Sequence, residues 1–341
     1  MRVAMYYNNK DIRIEEMPKP EPAKGELVVR IEASGICGSD VMEWYRIKKA
    51  PLVLGHEIAG VVAKVGEGVT KYKKGDRVVA AHHVSCNTCH YCLNDHHTVC
   101  DTLRRTNFYP GGFAEYVQIP IINVARGVFR IHNETSFEEA TFTEPLACVL
   151  RGQKQSRLKA GQSIIVMGSG ITGLLHIKCA RALGAGKIFA SDIDNFRLDA
   201  AKRFGANVAI KADEDVPSIL REHNEERLAD LVILCTGAMG AVKQAIESVE
   251  RGGTILFFAP INNEEINIPI NKLFWRNEIT LTSSYAGNEK DHLDAMELIR
   301  SKKVTVKDMI THRFGLNDTV KGFQLTAKPD KSIKVIIETQ R

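Results

Sequence analysis

The sequence lacks several features that mark particular classes of protein. No uninterrupted apolar run approaches the about 20 residues that a membrane helix needs, and residues 1–8 lack the charged-then-apolar layout of a signal peptide. There is no internal repeat and no low-complexity tract. The net charge of +5 is scattered along the chain rather than gathered into a basic stripe. These absences predict a cytoplasmic globular protein that binds neither nucleic acid nor membrane.

The chain has 341 residues, 44% hydrophobic and 26% charged, which is enough for two domains. The first third contains short apolar runs broken by glycine turns and predicts a barrel-like or sandwich-like β domain. From about residue 158, short apolar strands alternate with amphipathic helices, a pattern typical of parallel βαβ units. We expect domains at 1–145 and 146–285, with the tail 286–341 returning to the first domain.

A glycine-rich turn lies between the first predicted strand and the first predicted helix of the second domain. Residues 168–173, GSGITG, match the G-x-G-x-x-G pattern. In that context the glycines allow a tight turn, and the helix N-terminus offers free N–H groups to a pyrophosphate. Asp192 ends the next strand, where a carboxylate can bind the ribose hydroxyls of NAD and repel a 2′-phosphate. The cofactor-binding residues are predicted to be Gly168, Gly170, Ile171, Thr172, Gly173, Asp192 and Arg197.

Four of the eight cysteines fall in one short segment, at Cys86, Cys89, Cys92 and Cys100. In a chain of this length, such spacing favours a metal site over a disulfide framework. Four thiolates suit a tetrahedral structural zinc, whose closed shell has no position for substrate. An iron–sulfur cluster is the alternative. The histidines of the same stretch are interpreted as mostly surface residues: His82, His83, His90, His96 and His97.

Three further segments predict a second metal site. They contain Cys37 with Ser39 and Asp40 (CGSD), His56 with Glu57 (GHE), and Glu144 (EPL). A thiolate, an imidazole and one carboxylate give zinc three protein ligands and leave one position open, as a catalytic zinc requires. Each segment is weak by itself, because a single histidine beside an apolar strand is often just a hydrogen-bonded core residue.

Taken together, these segments resemble the zinc-dependent medium-chain dehydrogenases, in the branch of sorbitol, threonine, butanediol and galactitol-phosphate dehydrogenases. The resemblance extends over essentially the whole chain and includes the motif at 111–116, GGFAEY. It implies an α/β protein in which a GroES-like β-barrel catalytic domain is joined to a Rossmann domain with a doubly wound parallel sheet. It also implies a homotetramer or homodimer.

The resemblance further implies a catalytic zinc on Cys37, His56 and a glutamate. Glu57 is the preferred third ligand, and Glu144 is a ligand or holds a metal-bound water. Asp40 matches the residue that hydrogen-bonds the zinc-bound histidine and fixes its ring orientation. Ser39 matches the hydroxyl that takes the substrate proton. With the four-cysteine zinc, two zinc ions per subunit and NAD are expected.

One position departs from the family pattern. The sorbitol and threonine enzymes carry a histidine five residues after the zinc cysteine, where this chain has Met42. Methionine cannot pass a proton, so the outer end of the proton relay must differ, and sorbitol or threonine as substrate is in doubt. The following segment could form an aromatic wall for a sugar, a basic rim for an anionic substrate, or a solvated loop: Trp44, Tyr45, Arg46, Lys48 and Lys49.

The expected function is NAD-dependent oxidation of a secondary hydroxyl on a polyol, cyclitol or sugar derivative. A biosynthetic NADH-dependent ketone reductase and a dehydrogenase of phosphorylated polyols or amino alcohols are alternatives on the same scaffold. A non-catalytic cofactor-binding protein, or a zinc-free quinone-reductase-like member, would not need the metal-binding residues that this chain retains.

Overall fold

The computed structural model describes residues 1–261 and 265–341. They form two compact units, the first made of Met1–Ala147 and Ala286–Arg341 and the second of Cys148–Tyr285. Within the described part of the chain, every helix is too short or too polar to cross a membrane.

The described residues contain sixteen strands. In chain order these are β1 Arg2–Asn8, β2 Asp11–Glu16, β3 Leu27–Gly35, β4 Leu52–Val53, β5 Glu57–Val65, β6 Arg77–Ala80, β7 Tyr116–Ile119, β8 Val128–Arg130, β9 Ile164–Met167, β10 Ile188–Asp192, β11 Val208–Lys211, β12 Ala229–Leu234, β13 Val249–Phe257, β14 Thr280–Ser283, β15 Ile310–Gly315 and β16 Lys334–Glu338.

The same residues contain thirteen α-helices. They are α1 Glu43–Arg46, α2 His90–Leu93, α3 Asp101–Arg105, α4 Ile121–Arg126, α5 Phe137–Ala140, α6 Thr143–Gln155, α7 Ile171–Ala182, α8 Asn195–Arg203, α9 Val216–His223, α10 Met239–Ser248, α11 Ile270–Leu273, α12 Glu289–Arg300 and α13 Thr319–Ala327.

In the first unit, a seven-stranded sheet has the order β15-β16-β3-β5-β6-β8, and β7 also pairs with β3. A smaller sheet has the order β2-β1-β4. Alternate residues of β3, namely Leu27, Val29 and Ile31, enter one buried apolar cluster, as the period of a strand requires. The tail returns to this unit because β16 pairs with β3 near its end at Gly35.

In the second unit, six parallel strands have the order β11-β10-β9-β12-β13-β14. The chain runs outward from β9 to β11 and then crosses to β12, so the sheet is doubly wound. All four residues of β9 are buried, which explains its continuous apolar sequence. The strand order reverses beside β9, and ligands of such sheets bind at the carboxyl ends of the strands at this point.

Candidate active site and metal centres

Two antiparallel strands bring the candidate catalytic ligands together. The last residue of β3, Gly35, is the register partner of the first residue of β5, Glu57. Cys37 therefore follows one strand and His56 precedes the other at the same end of the sheet. The metal-binding atoms of Cys37, His56 and Glu57 all lie within 4.8 Å of one another. A sulfur, an imidazole nitrogen and a carboxylate oxygen are a donor set that catalytic zinc uses.

Gly55 fixes the backbone that leads into His56. Its φ is +96°, and a Cβ there would lie 2.9 Å from the carbonyl carbon of Gly112. The N–H of Gly112 donates to the carbonyl of Gly55 at 2.9 Å, so the two backbones pack directly on each other. A side chain at Gly55 would be disfavoured by the positive φ and by the close approach of the Gly112 backbone, and each of these favours glycine. The GGF motif thus supports the His56 segment.

Asp40 orients His56 from a fully buried position. One carboxylate oxygen accepts the N–H of Cys37 at 3.0 Å, and the other lies 3.3 Å from Nδ1 of His56. Since that second oxygen accepts no well-directed hydrogen bond within the described residues, the contact is mainly electrostatic. Although burial disfavours its charged form, the Asp40 carboxylate and Cys37 raise the pKa of His56 well above its ordinary value. With Nδ1 turned to Asp40, Nε2 is the nitrogen left for a metal.

Glu57 has a partner that the sequence did not reveal. Nζ of Lys334 in β16 forms an ion pair with Oε2 of Glu57, and each side chain is only 1% exposed. The same ammonium donates to the carbonyl of Ile36 at 3.0 Å. A Cβ at Gly35 would collide with this pair, which explains the glycine at the end of β3. The carboxylate is therefore held in place by a buried counter-charge.

Ser39 and Arg46 form a second group beside Cys37. The hydroxyl of Ser39 lies 3.4 Å from Sγ of Cys37. The guanidinium of Arg46 donates to the carbonyl and to the hydroxyl of Ser39. The interpretation of this segment as a solvated loop is wrong for Arg46, because its side chain is only 16% exposed. Lys48 and Lys49 of the same segment are exposed.

Glu144 occupies a different position from Glu57. It is the second residue of α6 and is buried. The group of converging donor atoms contains Cys37, His56 and Glu57 without Glu144. This arrangement favours Glu57 as the third ligand.

The four cysteines of the second metal centre converge as their spacing predicts. Their donor atoms form one group, with Sγ separations of 3.6 Å for Cys89–Cys92 and Cys86–Cys100 and 3.9 Å for Cys86–Cys92. Zn–S bonds of about 2.3 Å in a tetrahedron require sulfur separations of about 3.8 Å. The sulfur atoms therefore fit a four-thiolate zinc.

Backbone amides of this loop also stabilise the thiolate of Cys86. The N–H groups of Thr88 and Cys89 point at Sγ of Cys86, at 3.5 and 3.3 Å. The Thr88 amide is the main cause that lowers the pKa of Cys86 to about 5. A thiolate formed near neutral pH is the form that binds a metal.

The glycine turn joins β9 to α7 in the second unit. Gly168 has φ +93°, and Gly170 is the N-cap of the twelve-residue helix, which begins with Ile171 and Thr172. A Cβ at Gly173 would collide with the carbonyl of Gly168, so the helix packs closely on the turn. A Cβ at Gly170 would meet nothing within 4 Å, which leaves open space at the helix N-terminus. Such a terminus suits a pyrophosphate.

Asp192 ends β10 beside this turn and is almost completely buried. Its carboxylate accepts the N–H of Ser169 at 2.7 Å and the N–H of Asp194 at 3.0 Å. Nη1 of Arg197 lies 3.8 Å from the same carboxylate. Asp192 therefore orders the glycine turn, and each oxygen has a further lone pair for a ribose hydroxyl.

The prediction of mostly surface histidines is wrong for His82 and His83. His90 and His96 are exposed, but the ring of His82 lies between those of His56 and His83, with centroid separations of 4.6 and 3.7 Å. Nδ1 of His82 is buried and accepts or donates no hydrogen bond within the described residues. Burial and the neighbouring His83 and His56 lower its pKa well below the ordinary value.

Sequence reasoning missed Lys334, the role of Arg46 and the position of His82. Lys334 could have been noticed in the sequence, because a lysine at the start of the apolar strand β16 is costly to bury unless it is paired. The position of His82 follows from strand pairing, because the β5–β6 register Ile58↔Ala80 places residue 82 opposite residue 56. No sequence pattern connects Arg46 to Ser39, because their contact depends on the conformation of the loop between them.

Two family profiles match the chain. The "Alcohol dehydrogenase GroES-like domain" covers residues 23–127, and the "Zinc-binding dehydrogenase" family covers residues 172–301. The chain therefore belongs to the zinc-dependent medium-chain alcohol dehydrogenases. This result confirms the predicted family and the predicted combination of a GroES-like and a Rossmann domain.

Individual relatives narrow the branch. The chain is 32% identical to D-xylulose reductase A of Aspergillus oryzae, over 96% of this chain and 93% of the relative. It is 30% identical to sorbitol dehydrogenase of Bacillus subtilis, over 100% and 98%. The crystal structure of galactitol-1-phosphate dehydrogenase from Escherichia coli matches with a TM-score of 0.87 and 26% identity, over 99% and 100% of the two chains. The chain is thus a zinc-containing oxidoreductase of the polyol dehydrogenase branch that uses a nicotinamide cofactor, as predicted.

Proposed function

We propose that this enzyme oxidises a secondary hydroxyl of a polyol, cyclitol or sugar derivative with NAD and reduces the corresponding ketone with NADH. The observation that carries the proposal is the group formed by Cys37, His56 and Glu57, whose donor atoms lie within 4.8 Å of one another. The polyol class is supported by the names of the xylulose and sorbitol relatives.

The residues around the proposed catalytic zinc have separate tasks. Cys37, His56 and Glu57 would hold the ion, Glu144 would hold a metal-bound water, and Asp40 orients His56. Zinc in such a site is a Lewis acid that stabilises negative charge on a substrate oxygen. In oxidation, Oγ of Ser39 takes the proton of the substrate hydroxyl while its own proton leaves to water. A bound nicotinamide would supply the acceptor for the hydride of the carbinol carbon. Alcohol and NAD⁺ thus give ketone, NADH and one proton.

NAD rather than NADP is the proposed cofactor, held by Gly168, Gly170, Ile171, Thr172 and Gly173 at the turn and by Asp192 with Arg197 at the ribose. The buried Asp192 carboxylate supports this choice, because it repels a 2′-phosphate.

A structural zinc on the four cysteines and assembly into a homodimer or homotetramer complete the proposal. The thiol-rich loop and the absence of disulfides among the described residues favour the reducing cytoplasm. For assembly, β14 forms an edge of the six-stranded sheet, and Trp275, which precedes this strand in the sequence, is 73% exposed. Light scattering of the purified protein will give the oligomeric state.

The proposal is tested by a screen for NADH formation over polyols, cyclitols, sugars, sugar phosphates and amino alcohols, with zinc analysis in parallel. We expect turnover of a polyol-like substrate and two zinc ions per subunit. His56→Ala should retain the four-cysteine zinc but lose the other ion and the turnover, whereas the exposed His90→Ala should keep both. A protein with one zinc per subunit, held by thiolates alone, contradicts the proposal.

The same screen separates the alternatives. Faster ketone reduction than alcohol oxidation at physiological NAD and NADH levels would indicate a biosynthetic reductase. Turnover restricted to phosphate esters or to amino alcohols would replace the polyol as substrate.

A further inference from the structure

Arg46 is bound to the chain at the candidate active site rather than directed into solvent. It is the last residue of α1, and its side chain is 16% exposed. Nε donates to the carbonyl of Ser39 at 2.9 Å, and Nη2 donates to the Ser39 hydroxyl at 3.2 Å. Nη2 also lies 3.8 Å from the buried carboxylate of Asp40. One guanidinium thus contacts Ser39 and Asp40, which follow the proposed zinc ligand Cys37 in the sequence.

The bonds to Ser39 restrict what its hydroxyl can do. A serine hydroxyl has one proton to donate and two lone pairs that accept. Arg46 occupies one lone pair, and the oxygen lies 3.4 Å from Sγ of Cys37. One lone pair remains for the proton of a substrate. Because a guanidinium stays protonated in proteins, Arg46 can hold the hydroxyl but cannot itself carry the proton.

The neighbouring residues do not offer another way to fix Ser39. Met42, at the position where the sorbitol and threonine enzymes have histidine, is half-buried and has no group that transfers a proton. Lys48 and Lys49 are exposed, and Nζ of Lys49 lies 5.0 Å from the ring of Tyr45. Among the basic residues of this segment, Arg46 alone contacts Ser39 within the described part of the chain.

We propose that Arg46 is a positioning residue that holds the Ser39 hydroxyl as the proton-accepting group. This inference rests on the proposed function. The two parallel bonds fix both the backbone and the hydroxyl of Ser39, because the guanidinium fork is rigid. The fixed positive charge also stabilises the negative charge that develops on Oγ while one proton arrives and the other leaves to water.

The test is a double-mutant cycle with Arg46→Ala and Ser39→Ala. Each single variant should lower kcat by about 10- to 100-fold, since a positioned proton-transfer group contributes at least this much. The KM for the polyol should change less than about threefold, because the interaction acts in the transition state. If Arg46 acts through Ser39, the double variant should be no slower than Ser39→Ala alone.

Three further measurements distinguish this role from other roles of Arg46. Zinc content and the thermal midpoint of Arg46→Ala should equal those of the wild type. Arg46→Lys keeps the charge without the fork and should recover only part of kcat. Added guanidinium ion at millimolar concentration should restore part of the activity of Arg46→Ala but none of Ser39→Ala. The exposed Lys49→Met is the matched control and should leave kcat unchanged.

Several outcomes overturn the inference. Losses that multiply in the double variant show that Arg46 acts independently of Ser39. A loss confined to the KM of a phosphorylated polyol shows that Arg46 binds a substrate anion, and loss of zinc shows a purely structural role. Wild-type protein without any NAD-dependent turnover in the screen refutes the proposed function instead, so the two failures are distinguishable.

Discussion

At the scale of single residues, the ion pair between Glu57 and Lys334 is the feature of the site whose stability depends most on both partners being present. Both side chains are 1% exposed, so neither charge is screened by water. Removing one partner of a buried pair typically costs about 3–5 kcal/mol, because the other charge stays buried and unpaired. We therefore expect Lys334→Met to lower the free energy of unfolding by about 3 kcal/mol or more in urea titrations of the metal-free protein, where no zinc compensates the Glu57 carboxylate.

Two variants make this expectation specific. The exposed Lys328→Met should change the unfolding free energy by less than about 0.5 kcal/mol. Glu57→Gln combined with Lys334→Met should recover much of the loss, since neither charge then remains. A loss for Lys334→Met no greater than that of Lys328→Met would show that the pair contributes little.

Asp192 supports a prediction about cofactor choice. Replacement by asparagine removes the charge and keeps one side-chain oxygen, which can accept the N–H of Ser169 or that of Asp194 but not both. Arg197, which lies 3.8 Å from the carboxylate, then becomes available to a 2′-phosphate. We expect kcat/KM for NAD to fall about tenfold or more, because a hydrogen bond to a charged group is worth about 1.5–3 kcal/mol.

The measurement is the ratio of kcat/KM for NADP to that for NAD, which should rise in Asp192→Asn. The exposed Asp213→Asn is the control and should leave the ratio unchanged. An unchanged KM for NAD in Asp192→Asn would refute the assignment of Asp192 to the ribose.

At the scale of elements, the strands and helices of the second unit were largely predictable. The apolar sequence of β9 (Ile164–Met167) and the helical spacing of apolar residues in α7 (Ile171–Ala182) indicate a strand and a helix directly. Parallel strands buried on both faces and helices with one apolar side leave strong periodic signals. The first residues of β13, from Val249, are not evident from the sequence, because Gly252 and Gly253 interrupt the apolar pattern.

The contacts within the candidate site were less predictable. Motifs identified Cys37 and His56 because metal ligands need particular residue types at a particular spacing. Lys334 and Arg46 act through contacts that depend on how distant segments pack, and any arginine in the 43–49 segment could equally have faced solvent. Strand register, once known, would have placed His82 beside His56.

The four-cysteine loop yields a prediction at this same scale. Its small apolar cluster consists largely of the cysteines themselves, with Leu103 and Ala286. Without its metal this loop has little to hold it, so Cys100→Ser should lose about one zinc per subunit, since a structural site needs all four ligands. Hydrogen exchange should increase in residues 86–105 while β5 and β6 stay protected.

The half-buried Cys148, outside both metal groups, provides the control. Cys148→Ala should retain two zinc ions per subunit and normal exchange in the loop. Unchanged protection of residues 86–105 in Cys100→Ser would show that the metal does not order them.

At the scale of the whole molecule, two desolvated histidines, the buried His176 and the half-buried His83, reduce the stability of the fold in acid. Burial lowers the pKa of His176 in α7 to about 3 and is the main cause that lowers that of His83 to about 4. Their unfolded pKa is near 6.5, so the unfolded chain binds more protons below that pH. The stability they contribute is complete above pH 6.5 and falls by about 1.4 kcal/mol per pH unit for each group as the pH decreases toward the folded pKa.

His176→Phe isolates one of these groups. The slope of the unfolding free energy between pH 6 and 5 should decrease by about 1.4 kcal/mol per pH unit, whatever the change in absolute stability. The partly exposed His223→Gln is the control and should keep the wild-type slope. An equal slope in His176→Phe would mean that His176 is not buried as a neutral ring.

The first unit is assembled from two stretches, 1–147 and 286–341, whereas the second is one continuous stretch. During translation, β3 and β5 leave the ribosome long before β16, so β3 has an unpaired edge and Glu57 has no lysine while residues 148–285 are being made. The second unit can complete its own sheet in that interval. A nascent chain that stalls before residue 334 would therefore present a finished nucleotide-binding fold together with a metal pocket whose carboxylate has no lysine partner.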